Sequence, residues 1–288
     1  MRRTHYKISR LRTEGMGQKG EAMRLLMCAP EHFDVTYEIN PWMRVANGPD
    51  AALARRQWTA LYTILREQVG ADVHLVAPQP GLPDMVFTAN AGIVKGRDFV
   101  PSRFRPVERQ GEVAFFVQWM VENGFALRPL TEEVAGAFEG EGDALFYGDL
   151  LLAGYGQRSD EAACYGVGEM LGIPVLPLRL VDSRWYHVDT CLIPVTPDLL
   201  AYYPPAFDAA ANAALEALPG EKIVLSTPDA LRFGGNAVIV GDQVVMNSGC
   251  DALAGDLRAR GFRVHETDLS EFLKSGGSAK CLVLVLDH

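Results

Sequence analysis

Five polar residues recur along this chain at a nearly constant interval. Asn90, Glu139, His187, Asn236 and Cys281 are separated by 49, 48, 49 and 45 residues. The first four each open a short apolar hairpin pattern, which a helical stretch then follows; Cys281 opens a lone apolar run, so the fifth unit is incomplete. Self-similarity at such a period is the mark of a repeat architecture. Five units closed around one axis bring five equivalent positions together, so one site forms from residues scattered through the sequence.

The local patterns fit this period. MVFTANAGIV (85–94) and DFVPS form the first hairpin. A helix over 106–125 follows, with Val113, Phe116, Val117, Met120 and Val121 on one face at helical spacing. GDALFYGDLLLAGYG (142–156) is a hairpin turning at Gly148-Asp149. Ser159 is read as the cap of a helix that ends at Leu171 before Gly172. A third hairpin over 188–204 precedes an Ala-rich helix at 207–217, and a fourth over 236–249 turns at Gly241-Asp242 before a helix at 251–261. CLVLVL (281–286) has no hairpin partner nearby. MRLLMCAP (23–30) lacks one too, so the two are expected to pair and close the ring.

Composition excludes several classes. A net charge of −9 over 288 residues lacks the basic footprint of nonspecific nucleic-acid binding. The longest apolar run, at 281–286, is far short of a membrane span. The first 22 residues hold six Lys and Arg and no apolar run, which reads as an N-terminal tail over 1–22, with Met16 or Met23 as alternative starts. Residues 23–288 read as a single domain. The five cysteines form no CxxC pair and no metal-ligand spacing. Their odd number, without a secretory segment, fits a reducing cytoplasm. No metal, no cofactor, no membrane and no nucleic acid are implied; the partner is a small-molecule substrate, and a homo-oligomer stays open.

A thiol and an imidazole at matched repeat positions can act as nucleophile and acid–base pair. A lone cysteine before an apolar strand is more often a packed core thiol, and a lone histidine more often structural. Their shared place in the repeat, with acidic neighbours, favours catalysis by Cys281 and His187. Asp189 lies two residues beyond His187 and shares its face if the segment is a strand. Glu139 can orient the imidazole. Asp84, Glu139 and Glu141 can hold a guanidinium by paired hydrogen bonds. Arg109 and Arg158 can clamp a carboxylate, although a solvated role is commoner for an isolated arginine. Cys250, at a helix start, is a second thiol to weigh; Cys28, Cys164 and Cys191 read as core.

The motifs PDMVFTAN, FEGEGD, GYGQRS, YHVDT and GGSAKC, in this order, resemble the guanidino-group-modifying (pentein) superfamily. That group includes dimethylarginine dimethylaminohydrolases, arginine deiminases, amidinotransferases and arginine dihydrolases. The resemblance implies an α/β fold, a five-bladed propeller of ββαβ repeats around a pseudo-fivefold axis. It implies Cys281 as nucleophile, His187 as acid and base, and Glu139 beside the histidine. FEGEGD carries one residue more than the family's EGGD form, so Glu141 is an alternative. Asp84 would hold the guanidinium, and Arg109 and Arg158 the substrate carboxylate. Asn90 replaces an Asp of the deiminases and dimethylarginine enzymes. With Asn40 in EINPWM, this departure most resembles arginine dihydrolases, which take arginine through two hydrolytic rounds to ornithine, carbon dioxide and ammonia. Dimethylarginine hydrolysis, deimination, amidino transfer and a non-catalytic ribosome-binding role are the alternatives within this fold.

Overall fold

The computed structural model describes residues 22–288. The tail expected over 1–22, Ala22 apart, and the alternative start at Met16 lie outside the described residues. Five three-stranded sheets share one topology. In each, an inner strand runs antiparallel to a middle strand, and the middle strand runs parallel to an outer one across a helical crossover.

The chain begins with a middle strand, β1 (Arg24–Cys28), then α1 (Ala51–Thr63) and the outer strand β2 (Asp72–Val76). The second blade is β3 (Gly92–Lys95), β4 (Asp98–Pro101), α2 (Val107–Gln110), α3 (Glu112–Glu122) and β5 (Ala126–Leu127). The third is β6 (Ala144–Tyr147), β7 (Leu150–Tyr155), α4 (Glu161–Leu171) and β8 (Val175–Arg179). The fourth is β9 (Leu192–Thr196), β10 (Leu199–Tyr202), α5 (Ala209–Ala217) and β11 (Glu221–Val224). A short α6 (Thr227–Leu231) leads into β12 (Val238–Val240), β13 (Gln243–Asn247), α7 (Asp251–Ala259) and β14 (Arg263–Thr267). After α8 (Ser270–Leu273), β15 (Leu284–Val285) pairs antiparallel with β1 and closes the ring. This is the five-bladed α/β propeller that the resemblance implied, with the closed ring of five units that the repeat period implied.

The middle strands are covered on both faces, so β10 (LLAY) and β13 (QVVMN) are buried throughout and read as nearly continuous apolar runs. Asp50 and Asp208 cap α1 and α5 by accepting the amides of Leu53 and Ala211, satisfying donors that the first helical turn leaves over.

Three local expectations are corrected. The helix expected over 106–125 breaks at Gly111 into α2 and α3. Within α3 the buried face runs through Glu112, Phe116 and Met120, and Val121 is 53% exposed. Charge pairing with Arg109, described below, is the reason an acid occupies the core face. Asp160, not Ser159, stands at the start of α4; the Ser159 hydroxyl instead accepts the backbone amide of Glu139. His187 and Asp189 do not share a strand face, because Val188–Thr190 form a 3-10 turn.

Candidate active site

Each marked polar residue lies in the turn that enters an inner strand. Asn90 is within the 3-10 turn Thr88–Ala91, Glu139 precedes the turn Gly140–Gly142, and His187 precedes Val188–Thr190. Asn236 and Cys281 stand just before β12 and β15. The pseudo-fivefold arrangement therefore gathers all five, each no more than 2% exposed.

The contacts are specific. His187 Nε2 is 2.8 Å from Glu139 Oε2, and Arg158 Nη1 donates to the same oxygen at 2.9 Å. Burial opposes a charge on Glu139, yet Arg158 and His187 together hold its carboxyl down to about 2. Asn90 Nδ2 lies 3.5 Å from His187 Nδ1. Asn236 Nδ2 donates to Cys281 Sγ at 3.1 Å, and the thiol donates to Asp189 Oδ2 at 3.2 Å. Burial, then the Asp189 charge, push the Cys281 thiol well above the ordinary thiol range. The turn over Glu139 permits this approach only because residue 142 is glycine: a Cβ there would sit 2.2 Å from Asn90 Nδ2 and 3.0 Å from His187 Nδ1.

Besides Glu141, whose Oε1 lies 3.0 Å from His288 Nε2, two carboxylates carry an unmatched acceptor. Asp84 Oδ2 accepts from Tyr37, while Asp84 Oδ1 and Asp189 Oδ1 are buried without a hydrogen-bond partner. Burial raises both carboxyls, Asp189 to about 7. Buried acceptors are normally satisfied, and a planar cation with several N–H donors is the chemical complement of two such oxygens.

The segment 29–50 spans this region with a single 3-10 turn at Val45–Asn47. Asn40 ties it down: its Nδ2 donates to the Ser275 carbonyl, and its Oδ1 accepts the amides of Trp42 and Met43. Gly276 (φ +80°) packs beneath, with room for no Cβ beyond 3.0 Å from Asn40, Trp42 and Tyr186. Arg158 Nη2 donates to the Ile39 carbonyl of this segment.

The arginines do not stand as an open clamp. Arg109 is 3% exposed and forks onto Glu112 with two contacts of 2.8 Å. Its remaining donors reach Asn90 Oδ1 and the Asp84 carbonyl. Glu141 belongs to a separate network, paired with Lys280 Nζ at 2.7 Å and 3.0 Å from His288 Nε2; Glu139 is the carboxylate at the imidazole. Cys250 is buried with its Sγ against the Asp229 and Arg232 carbonyls, not against the carboxylates and amides that surround Cys281. Cys28, Cys164 and Cys191 are buried as well.

Some groups carried no role in the sequence reading. Asn236 was marked by its spacing alone. Asp143 ends FEGEGD and lies 4.0 Å from His187 Nε2, where it accepts the Ser159 and Val188 amides; burial raises its carboxyl to about 6. Tyr37 and Glu112 gave no signal, because both act through partners distant in sequence or in a broken helix. Among the described residues, no group of three or more His, Cys, Asp or Glu is arranged to hold a metal ion, and no helix is long and apolar enough to cross a membrane.

A family model described as N,N dimethylarginine dimethylhydrolase, eukaryotic, matches residues 39–286. The bifunctional arginine dihydrolase/ornithine cyclodeaminase ArgZ of Synechocystis is 47% identical over 267 residues, 91% of this chain and 37% of that protein. The chain thus spans little over a third of that relative. The N(G),N(G)-dimethylarginine dimethylaminohydrolase of Mycobacterium tuberculosis is 45% identical over 262 residues, 91% of this chain and 85% of the relative. The crystal structure of the ArgZ N-terminal domain from cyanobacteria, a cysteine-to-serine variant bound to substrate, superposes with a TM-score of 0.87 at 45% identity, covering 92% of this chain and 98% of that one.

Proposed function

Because the chain belongs to the N,N-dimethylarginine dimethylhydrolase family, we propose that it is a guanidino-group hydrolase that converts arginine to ornithine, carbon dioxide and ammonia in two rounds at Cys281. One observation carries this reading: Asp84 and Asp189 each keep a buried oxygen without a partner, in the cluster that holds the thiol and the imidazole. The guanidinium lies between these carboxylates. Its positive charge offsets the burial that holds Cys281 as a thiol and favours the thiolate.

The steps then follow from the residues present. The Cys281 S–H proton passes to His187 Nδ1 and the sulfur bonds to the guanidinium carbon. The Nδ1 proton moves to a departing nitrogen, the C–N bond breaks, and ammonia leaves an alkylthiouronium on Cys281. Nδ1 next takes a proton from water, whose oxygen adds to the same carbon; the C–S bond breaks and citrulline is formed. In the second round Cys281 adds to the ureido carbon, the terminal nitrogen leaves as ammonia, and water displaces the sulfur from the resulting thiocarbamate; the carbamic acid released loses carbon dioxide to give ornithine. Glu139 holds the imidazole through Nε2 throughout, and Asn236 supports the sulfur. Arg158 is assigned to the substrate carboxylate, which exchanges with the Ile39 carbonyl now held by Nη2. Asn40 anchors the covering segment. The neutral Asn90 tolerates both the cationic and the neutral substrate, which an Asp there would not. Five unpaired cysteines support a cytoplasmic setting.

Acid quenching during turnover tests the chemistry: mass spectrometry should find an adduct on the peptide bearing Cys281, and none in Cys281→Ser. The likeness to the mycobacterial relative favours a second reading, hydrolysis of dimethylarginine to citrulline and dimethylamine. Arginine, citrulline and dimethylarginine offered side by side separate the two.

A further inference from the structure

Asn90 is placed by a residue that can only donate. Arg109 Nη1 contacts Asn90 Oδ1 at 2.7 Å, and a guanidinium has no acceptor, so this contact fixes which end of the amide is oxygen. Arg109 is itself locked by the buried fork to Glu112, 2.8 Å through each nitrogen. The amide NH2 of Asn90 therefore faces the other way, 3.4 Å from the Glu139 carbonyl and 3.5 Å from His187 Nδ1. An N–H donor meets Nδ1 favourably only when that nitrogen is unprotonated.

The far side of the ring agrees. Glu139 Oε2 at 2.8 Å and Asp143 Oδ2 at 4.0 Å both approach Nε2, with Arg158 behind Glu139. The Tyr186 ring, 4.7 Å away, adds no charge. Both carboxylates thus draw the single proton of a neutral imidazole to Nε2.

We propose that Arg109 is a positioning residue that acts through Asn90: it turns the amide NH2 toward the site, which keeps His187 Nδ1 free to accept a proton and offers a donor to the ureido oxygen of the second round. This rests on the reading of His187 as acid and base in a dihydrolase. It also gives Asn90 a sharper part than neutrality. An Asp at position 90 would present only acceptors, both to Nδ1 and to the ureido oxygen, whereas the oriented amide presents a donor to each.

Nitrogen-15 NMR of labelled histidine reads the tautomer directly. The six histidines are separated by assigning His187 from the signals lost in His187→Gln. The expected result at neutral pH is an unprotonated Nδ1 and a protonated Nε2. In Arg109→Met/Glu112→Gln, which removes both buried charges together, the tautomer preference should be lost. The ratio of citrulline to arginine turnover should fall about tenfold, the worth of one hydrogen bond. If that variant does not fold, Asn90→Asp supplies the isosteric test, with Nδ1 now protonated toward the carboxylate. A proton on Nδ1 in the wild type, or a variant with unchanged tautomer or unchanged ratio, overturns the proposal. Wild-type protein that turns over neither compound instead overturns the dihydrolase reading, and the tautomer measurement still stands.

Discussion

Asn236 holds Cys281 at two points: its Nδ2 donates to Sγ at 3.1 Å, and its Oδ1 accepts the Cys281 backbone amide at 3.1 Å. The same side chain thus fixes the loop and supports charge on the sulfur. A hydrogen bond to a charged group contributes about 1.5–3 kcal/mol. Asn236→Leu should therefore lower kcat/KM by about 10- to 100-fold. The check is alkylation of Cys281 by iodoacetamide across pH: the inactivation rate should rise only at higher pH than in the wild type.

Gly142→Ala tests the tightness of the site without replacing any of the groups in it. The added Cβ meets Asn90 Nδ2 at 2.2 Å and His187 Nδ1 at 3.0 Å. Misplacing a working group by about 1 Å can cost about 10²-fold. Turnover should drop by that order, while circular dichroism remains that of the wild type.

The Asp189 carboxyl, raised to about 7 by burial, makes cation binding depend on pH. A guanidinium favours the ionised form, so binding releases a proton below this value and tightens as pH rises from about 6 to about 8. Calorimetry on Cys281→Ser with arginine, in buffers of different ionisation enthalpy, should find proton release that fades above pH 8. A raised folded value also means that this carboxyl favours the folded state below its unfolded range. That contribution is lost as pH rises through about 7, and bound arginine should restore it.

Glu139 works in the opposite sense. Its carboxyl is held down to about 2 from 4.5, so its contribution to stability is complete above about 4.5 and is lost as pH falls through about 2. In Glu139→Gln this part of the acid dependence should disappear. The uncompensated Arg158 charge should cost about 3–5 kcal/mol, measurable by urea denaturation at pH 7.

The Lys280–Glu141 pair, 2.7 Å apart and largely buried, lies next to Cys281 in sequence. Lys280→Met alone leaves a buried carboxylate and should lower Tm strongly. Lys280→Met/Glu141→Gln should recover most of the loss, since removing both partners of a buried pair is often neutral.

Much of this was legible in the sequence because a repeat constrains topology more than any single motif does. The interval between Asn90, Glu139, His187, Asn236 and Cys281 implied a ring, and the lone apolar segments at 23–30 and 281–286 implied how it closes; β15 pairs with β1 accordingly. What stayed hidden depends on geometry within one turn. Glu139 and Glu141 are two residues apart, and only the 3-10 turn between them sends one to His187 and the other to Lys280. Helical periodicity placed Val121 inside; the buried face of α3 runs instead through Glu112, Phe116 and Met120, and Glu112 is held there by its pair with Arg109. Likewise, a strand reading put Asp189 beside His187, whereas the turn carries it to the thiol. Asn236 was located by spacing, but an amide gives no sequence sign that it serves a sulfur.

The central claim is that one site performs two hydrolytic rounds, and product stoichiometry tests it most directly. Arginine should be converted to ornithine with two ammonia released for each arginine consumed, and added citrulline should be consumed by the same protein. Citrulline accumulating with one ammonia per arginine and no ornithine would contradict the account.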